Sequence, residues 1–478
     1  MKRRTFFSNC ACTGMSSLPA LNMLLHLQMA GKAAAQGGPT DRRTIVCVML
    51  AGGWDTFNLL VPRDARHAVY ATTRGNLALP LSGPGSLLSL SQNGGDGMLY
   101  GVHPSCSGLA ELFNGLGGDS NKRRASFITN IGTLIHPTTK AQYLAETVPM
   151  PRALFSHSDQ IDQWQTSVPQ GLTQASGWAG RVADLLHPTA NSGDTAMNIS
   201  FSGNNLLQVG NSTQQFVVTQ DGALTLTPAQ AGVSPVNPLT VKNVAHTSLI
   251  SQTYANLMQQ SYATLTKNSL ELQQHFKEEF DAFDAGAIAG LFPNNPYGEQ
   301  MLALAKTIAI REQLGVTRQT LFINFGGWDH HGELLVTQAG MLNRLSPALL
   351  DFQKALDQMG MQDSVITFTA SDFARTLRSN GRGTDHAWGG NSLVFGGPVQ
   401  GGQVLGTFPD LALDSNDDVG YGGRLIPTTS VDHLFAEMLR WFGVSATDMT
   451  YVLPNITNFY SPSSTSLPIG FLKPGTWS

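Results

Sequence analysis

Apolar positions along the chain fall into short continuous runs separated by stretches with helical spacing. Residues 43–50 (RTIVCVML) are apolar almost without a break, the pattern of a strand buried on both faces of a parallel sheet. Runs of the same kind recur at 125–131 (ASFITNI), 320–325 (TLFINF) and 365–368 (VITF), with weaker strand-like segments near 197–200 and 215–219. Between them, helical spacing predicts helices at 103–114, from Ser156 through Trp164, after Gly177, and at 298–314, 333–359 and 431–442. This alternation predicts a mostly parallel central sheet with right-handed crossovers and helices on both faces, a three-layer α/β/α sandwich. Residues 248–283 read as one long, polar, amphipathic helix, reached through a Pro-rich linker at 228–238. From residue 36 onward the pattern describes a single domain with a helical insertion at about 228–300. The Pro/Ser/Thr-rich end of the chain is expected to lie over the surface.

Three of the apolar runs lead into carboxylates. The first run leads into Gly52-Gly53-Trp54-Asp55, and the run at 320–325 leads into Gly326-Gly327-Trp328-Asp329, followed by His330 and His331. The run at 365–368 reaches Ser371-Asp372, and one Gly-rich loop later comes Asp385-His386. In open α/β sheets ligands bind beyond the carboxyl ends of the strands. Carboxylates and imidazoles in such loops supply oxygen and nitrogen ligands for a divalent ion. Asp329 and His331, two positions apart, can converge on one ion, with His330 pointing elsewhere or serving instead. Each residue also has a plainer role: Asp55 and Asp372 as turn or cap residues, His386 as a surface histidine. Ser156, in LFSHSDQIDQW, opens a helix where backbone N–H groups and the helix dipole favour anions. It is placed either as a nucleophile towards phosphoryl or sulfuryl esters or as an ordinary N-cap.

Composition narrows the classes. With 41% hydrophobic and 13% charged residues the 478-residue chain is globular. Lys2-Arg3-Arg4-Thr5-Phe6-Phe7 is a twin-arginine pattern, and the apolar stretch 18–30 is too short and polar to span a bilayer. Residues 1–35 therefore read as an export signal, which implies the twin-arginine machinery as a partner and a bacterial periplasmic or secreted location. Removing this segment, with its four basic residues and no acids, takes the net charge from −4 to −8. Neither nucleic acid nor an anionic membrane suits that balance. Cys47 and Cys106 remain after cleavage, too few for a disulfide framework. No CxxC, HExxH, P-loop, GxSxG or GxGxxG motif occurs, which weighs against zincins, nucleotide triphosphatases, α/β-hydrolases and Rossmann oxidoreductases.

The set GGWD, SHSDQIDQW, GWAGR, GGWDHHG, TASDFARTLRSNGRGTDHAWGGN, GTFPD and RLIPTTSVDH spans nearly the whole mature chain. It resembles a widespread bacterial exported family of unassigned function, sulfatase-like, within the alkaline phosphatase superfamily. The resemblance implies an alkaline-phosphatase-like sandwich and divalent metal ions (zinc, calcium, magnesium or manganese). It implies Asp55, Asp329, His331, Asp372, Asp385 and His386 as metal ligands, and Ser156 and His157 as catalytic residues. The implied activity is hydrolysis or transfer of phosphate- or sulfate-type esters of small molecules or polysaccharides, with Arg181 or Arg375 as a clamp for the oxyanion. Two departures stand out. Phe373 follows Asp372 where the superfamily commonly has His, and Ser156 lacks the Pro and Arg that follow a sulfatase nucleophile. They leave a second expectation, a non-catalytic exported metal-binding or assembly protein on the same fold.

Overall fold

The computed structural model describes residues 41–171, 175–191, 196–223 and 238–477; the signal-like segment and nearly all of the linker lie outside these ranges. Twelve strands occur among the described residues: β1 Arg43–Met49, β2 Leu60–Pro62, β3 Leu88–Ser89, β4 Tyr100–Val102, β5 Ala125–Gly132, β6 Asn198–Ser200, β7 Phe216–Val217, β8 Arg318–Asn324, β9 Val365–Ala370, β10 Gly390–Gly396, β11 Val404–Leu405 and β12 Thr429–Ser430. Nine form one sheet in the order β11-β5-β10-β9-β1-β8-β6-β7, with β12 beside β5. β1 pairs in parallel with β8 and β9, β6 with β7 and β8, and β5 with β11 and β12. Only β10 runs against its neighbours, β5 and β9. The main helices are α1 His67–Arg74, α2 Ser107–Asn114, α3 His157–Thr166, α4 Trp178–Ala190, α5 Pro238–Ile250, α6 Leu257–Ala282, α7 Pro296–Ala309, α8 Leu334–Gln358 and α9 Val431–Phe442.

β1 shows why the runs are apolar throughout. Val46 and Val48 point into a core shared with Leu109 and Phe113 of α2, Met301 and Leu304 of α7, and Leu342 and Leu349 of α8. Ile45, Cys47 and Met49 point the other way, against Trp178 and Val182 of α4 and Leu434, Phe435 and Met438 of α9. A strand covered by helices on both faces has no solvated side, so its period-2 alternation disappears. The expected α/β architecture, with helices on both faces of a mostly parallel sheet, is what the chain adopts.

Three local expectations differ from what is found. The long helix at 248–283 is two helices: α5 stops at Ile250, and Asn256 caps α6 by accepting hydrogen bonds from the N–H groups of Met258 and Gln259. An Asn side chain that mimics a backbone acceptor starts a helix better than it continues one. β10 escapes sequence reading because its apolar centre is three residues, Leu393–Phe395, between glycines. The end of the chain is not merely laid on the surface. Phe471 and Leu472 are buried, and the buried carboxylate of Glu437 accepts the N–H groups of Ile469, Gly470 and Leu472. Cys47 and Cys106 are buried free thiols. No described helix is long and apolar enough to cross a membrane.

Candidate metal centre

β8, β1 and β9 lie side by side, with Met49 in register with Asn324 and Ala370, so their carboxyl ends open along one edge. The two GGWD turns meet there. The rings of Trp54 and Trp328, both buried, sit with centroids 5.3 Å apart. Gly52 has φ +122°, and a Cβ there would lie 2.6 Å from the Asp329 nitrogen and 2.7 Å from that of Trp328. Only glycine allows the first turn to pass so close to the second.

The two turn carboxylates then diverge. Asp55 is wholly buried in an ion pair with Arg74 of α1, whose guanidinium also donates to the carbonyls of Thr376 and Leu377. Asp329 opens to solvent, with 44% of its side chain exposed, and meets three imidazoles. Its Oδ1 lies 3.0 Å from His331 Nε2, 3.4 Å from His386 Nε2 and 3.6 Å from His157 Nε2. His386 Nε2 is in turn 2.9 Å from His331 Nε2 and 3.1 Å from His157 Nε2.

What surrounds this group fixes its chemistry. His157 Nδ1 faces Asp372 Oδ2 at 2.6 Å, His331 Nδ1 faces Asp385 Oδ1 at 3.2 Å, and His386 Nδ1 faces the Phe155 carbonyl at 2.8 Å. In the neutral tautomer that donates each outer proton to its facing oxygen, each Nε2 presents a bare lone pair to the centre. Lone pairs at such separations repel unless a cation lies among them. Donors at about 2.0–2.1 Å from a tetrahedral zinc are about 3.3 Å from one another, and the three edges among His157, Asp329 and His386, at 3.1, 3.4 and 3.6 Å, scatter around that value. The donor group thus fits a divalent metal ion, and histidines that donate outward to carboxylates and carbonyls are the usual support of such ions. Among the described residues, His157, Asp329 and His386 stand out as a potential metal-binding group, and His331 adjoins them.

Electrostatics point the same way. Burial, reinforced by the nearby charge of Arg375, holds His386 below the usual histidine pKa, which favours its neutral ring. Burial opposes ionisation of Asp329, but Arg375, wholly buried and 2.7 Å from Oδ1, leaves its carboxyl below the usual range. Burial raises Asp372 above that range, against the pull of His157 and of the Gly52 N–H, which lies 3.0 and 3.1 Å from its two oxygens.

Of the residues singled out in the sequence, the structure gathers Asp329, His331 and His386, with Asp385 and Asp372 directly behind two of the rings. His157, at the first turn of α3, joins the donors, with its Nε2 pointed at the group. Asp55 faces Arg74 instead. Phe373, standing where a histidine was expected, is buried with its ring 4.8 Å from that of His157 and 4.6 Å from that of His386. Ser156 occupies the N-cap position of α3 without a side-chain capping bond; its hydroxyl donates to Asp159 Oδ2 at 2.6 Å. Arg181 spends its donors on the carbonyls of Thr166, Ser176 and Val452. Sequence reasoning missed the roles of Phe155 and of Arg424, whose Nε donates to the His386 carbonyl. The conformation of Phe155, at φ +74°, carries no residue-type signal that would have revealed it.

Fold and site together define an α/β protein with a candidate metal centre beyond the carboxyl ends of its parallel strands. Residues 42–455 match the family described as "Protein of unknown function (DUF1501)", and the chain belongs to that family. Among curated proteins none matches it. Similar solved structures include the PsFucS1 sulfatase from Pseudoalteromonas sp., 11% identical over 81% of this chain and 69% of that one, with a TM-score of 0.28. Another is BT33494S-sulf, from glycosaminoglycan metabolism in Bacteroides thetaiotaomicron, 11% identical over 84% and 73% with a TM-score of 0.30. A third is wild-type alkaline phosphatase PafA, 16% identical with a TM-score of 0.22, covering 71% of this chain and 64% of the phosphatase, less than two thirds of its length. At such TM-scores they carry no argument about activity.

Proposed function

We propose that the chain is an exported metal-dependent hydrolase or transferase of phosphate- or sulfate-type esters, with one divalent ion held by His157, His331, His386 and Asp329. The observation that carries this reading is the convergence of three bare imidazole nitrogens on one carboxylate oxygen, each ring fixed from behind by an oxygen acceptor. Three nitrogens and one oxygen suit zinc or a similar transition metal better than calcium or magnesium, which take mainly oxygen ligands. A bound ion supplies polarisation of an ester oxygen and lowers the pKa of a hydroxyl brought against it. The protein's own part is positional. Asp372, Asp385 and the Phe155 carbonyl hold the tautomers, and Arg375 holds Asp329. Asp159 takes the proton of Ser156 as its Oγ attacks phosphorus or sulfur; the ester's alcohol leaves with a proton from water, and a further water hydrolyses the seryl ester. His157 serves as a ligand in place of the catalytic role expected for it. With Asp329 and His331 nearly half exposed, a small-molecule or polysaccharide ester reaches the group from solvent. Export through the twin-arginine route to the periplasm or beyond is part of the same proposal.

A second reading is a metal-binding protein without catalysis. It is favoured by the Ser156 hydroxyl, which is committed to Asp159 on its own helix and touches none of the donor atoms. One experiment separates the two. Metal content of the purified mature chain is measured with hydrolysis of an aryl phosphate and an aryl sulfate, for wild type, Ser156→Ala and His386→Ala. The expected result is about one zinc per chain in wild type and Ser156→Ala, a loss of metal in His386→Ala, and hydrolysis by wild type alone. Equal metal in His386→Ala removes the metal centre. A loaded wild type inert towards both esters leaves the non-catalytic reading.

A further inference from the structure

Beside the donor group, Arg424 is held in a way that its own packing does not explain. Its Nε donates to the carbonyl of His386 at 2.8 Å. Its guanidinium carbon stands 4.0 Å from the centroid of the Phe155 ring and 4.8 Å from that of Tyr421. Phe155 is the residue whose carbonyl fixes His386, so the guanidinium is fastened to the metal centre through two neighbouring residues. Both aromatic residues adopt left-handed backbone, φ +74° at Phe155 and +55° at Tyr421. Among the described residues neither terminal nitrogen of Arg424 has a hydrogen-bond partner, and the side chain is only partly buried.

An arginine packed against two aromatic rings and held at Nε keeps one edge for a guest: the two terminal nitrogens, a fork matched to two oxygens of a phosphate or sulfate. The aromatic faces fix the plane of that fork before any ligand arrives, which reduces the ordering cost of binding. Three buried arginines do not offer this. Arg375 is wholly buried on Asp329, Arg181 is consumed by backbone carbonyls, and Arg74 is locked on Asp55. The carboxylate whose charge acts on Arg424 is Asp385, and its Oδ1 is already shared by His331 and Asn380.

We propose that Arg424, clamped by Phe155, Tyr421 and the His386 carbonyl, is the oxyanion-binding residue of the site and receives the tetrahedral phosphate- or sulfate-type group of the substrate. This rests on the ester-processing function proposed above and names the residue that recognises the ester's charged end. Its effect is on binding, so it is read without turnover.

Inorganic phosphate and inorganic sulfate are titrated calorimetrically into the mature chain, both zinc-loaded and chelator-treated, for wild type, Arg424→Gln, Arg424→Lys and Tyr421→Ala. Metal content is measured in parallel. Arg424→Gln is expected to keep its zinc and lose about 10- to 100-fold in anion affinity, the effect of removing a charge-assisted pair of hydrogen bonds. Arg424→Lys recovers part of this, since it restores the charge without the fork. Tyr421→Ala, at a residue 79% exposed, loses several-fold and keeps the test open should Arg424→Gln misfold. The proposal is overturned if Arg424→Gln binds phosphate and sulfate as wild type does, or if wild type binds neither in either form. Failure to hold zinc strikes the metal-centre reading alone, because the ratio between wild type and variant is still measured in the chelator-treated protein.

Discussion

Asp372→Asn isolates the support behind His157. In the wild type the two carboxylate oxygens share the Gly52 N–H at 3.0 and 3.1 Å, and Oδ2 also accepts from His157 Nδ1 at 2.6 Å. Asparagine keeps one oxygen for Gly52 but turns an amide N–H towards the imidazole. Two donors then face each other, and the ring relieves this by moving its proton to Nε2, which removes one lone pair from the donor group. A hydrogen bond to a charged partner contributes about 1.5–3 kcal/mol, and at about 1.4 kcal/mol per decade this is roughly 10- to 100-fold in affinity. That agrees with the roughly 10- to 100-fold effect usual for residues behind a metal-bound histidine. Folding stability of the metal-free protein should move by less than about 1 kcal/mol, because the substitution also removes a charge that burial already disfavours. The assay is competition for zinc against a chromogenic chelator, alongside denaturant unfolding of chelator-treated protein. His157→Ala and the double variant complete a cycle. If Asp372→Asn holds zinc as tightly as wild type, or weakens it equally in the His157→Ala background, Asp372 does not act through the ring.

Two further predictions test the frame around the site. Gly52→Ala places a Cβ against the Asp329 backbone at φ +122°, costing about 2–4 kcal/mol and most of the bound metal. Gly326→Ala, at the matching position of the second turn, meets nothing within 4 Å and should melt within about 2 °C of wild type; equal losses in both would refute the close-approach account. Asp432 is wholly buried, and burial lifts its carboxyl to about 6 against the bonds donated by the Ser167 and Ser430 hydroxyls. The fold therefore favours the protonated form, whose stabilisation is complete below about pH 4 and is lost as pH rises through about 6, a change of about 3 kcal/mol. Unfolding free energies of wild type and Asp432→Asn, measured from pH 4 to 7, should differ in slope across that window; parallel curves would contradict the shift.

The layout of the fold was legible because burial on both faces leaves a mark that needs no tertiary knowledge. RTIVCVML and TLFINF can be little else, and the GG turns after them announce where the sheet's working edge lies. What each carboxylate does at that edge was not legible. The same four residues, Gly-Gly-Trp-Asp, send Asp55 inward to Arg74 and Asp329 outward to three histidines. The difference lies in which cation the rest of the chain delivers to each, and no local pattern records that α1 will carry Arg74 beneath the first turn. β10 was hidden for another reason, since three apolar residues between glycines do not distinguish a strand from a loop. The break between α5 and α6 lay in an Asn whose capping geometry shows only in three dimensions.

The same reasoning bears on whether the site holds one ion or two. Asp55 and Asp372, both expected as metal ligands, are the residues left over for a second ion. At Asp55 the buried guanidinium of Arg74 already supplies the positive charge, and a dication beside it would meet that charge in a medium that screens poorly. At Asp372 both oxygens are engaged by Gly52 and His157, and Phe373 fills the place of an extra imidazole. His157, reaching in from α3, instead carries the influence of Asp372 to the first group as an oriented imidazole. The proposed stoichiometry is therefore one ion per chain. Arg74→Met provides the discriminating case: it leaves Asp55 as an unpaired buried carboxylate, at a cost of about 3–5 kcal/mol in stability. If the wild type binds one ion and folded Arg74→Met still binds only one, Arg74 is not what keeps the second position closed; two ions in the wild type refute the stoichiometry outright.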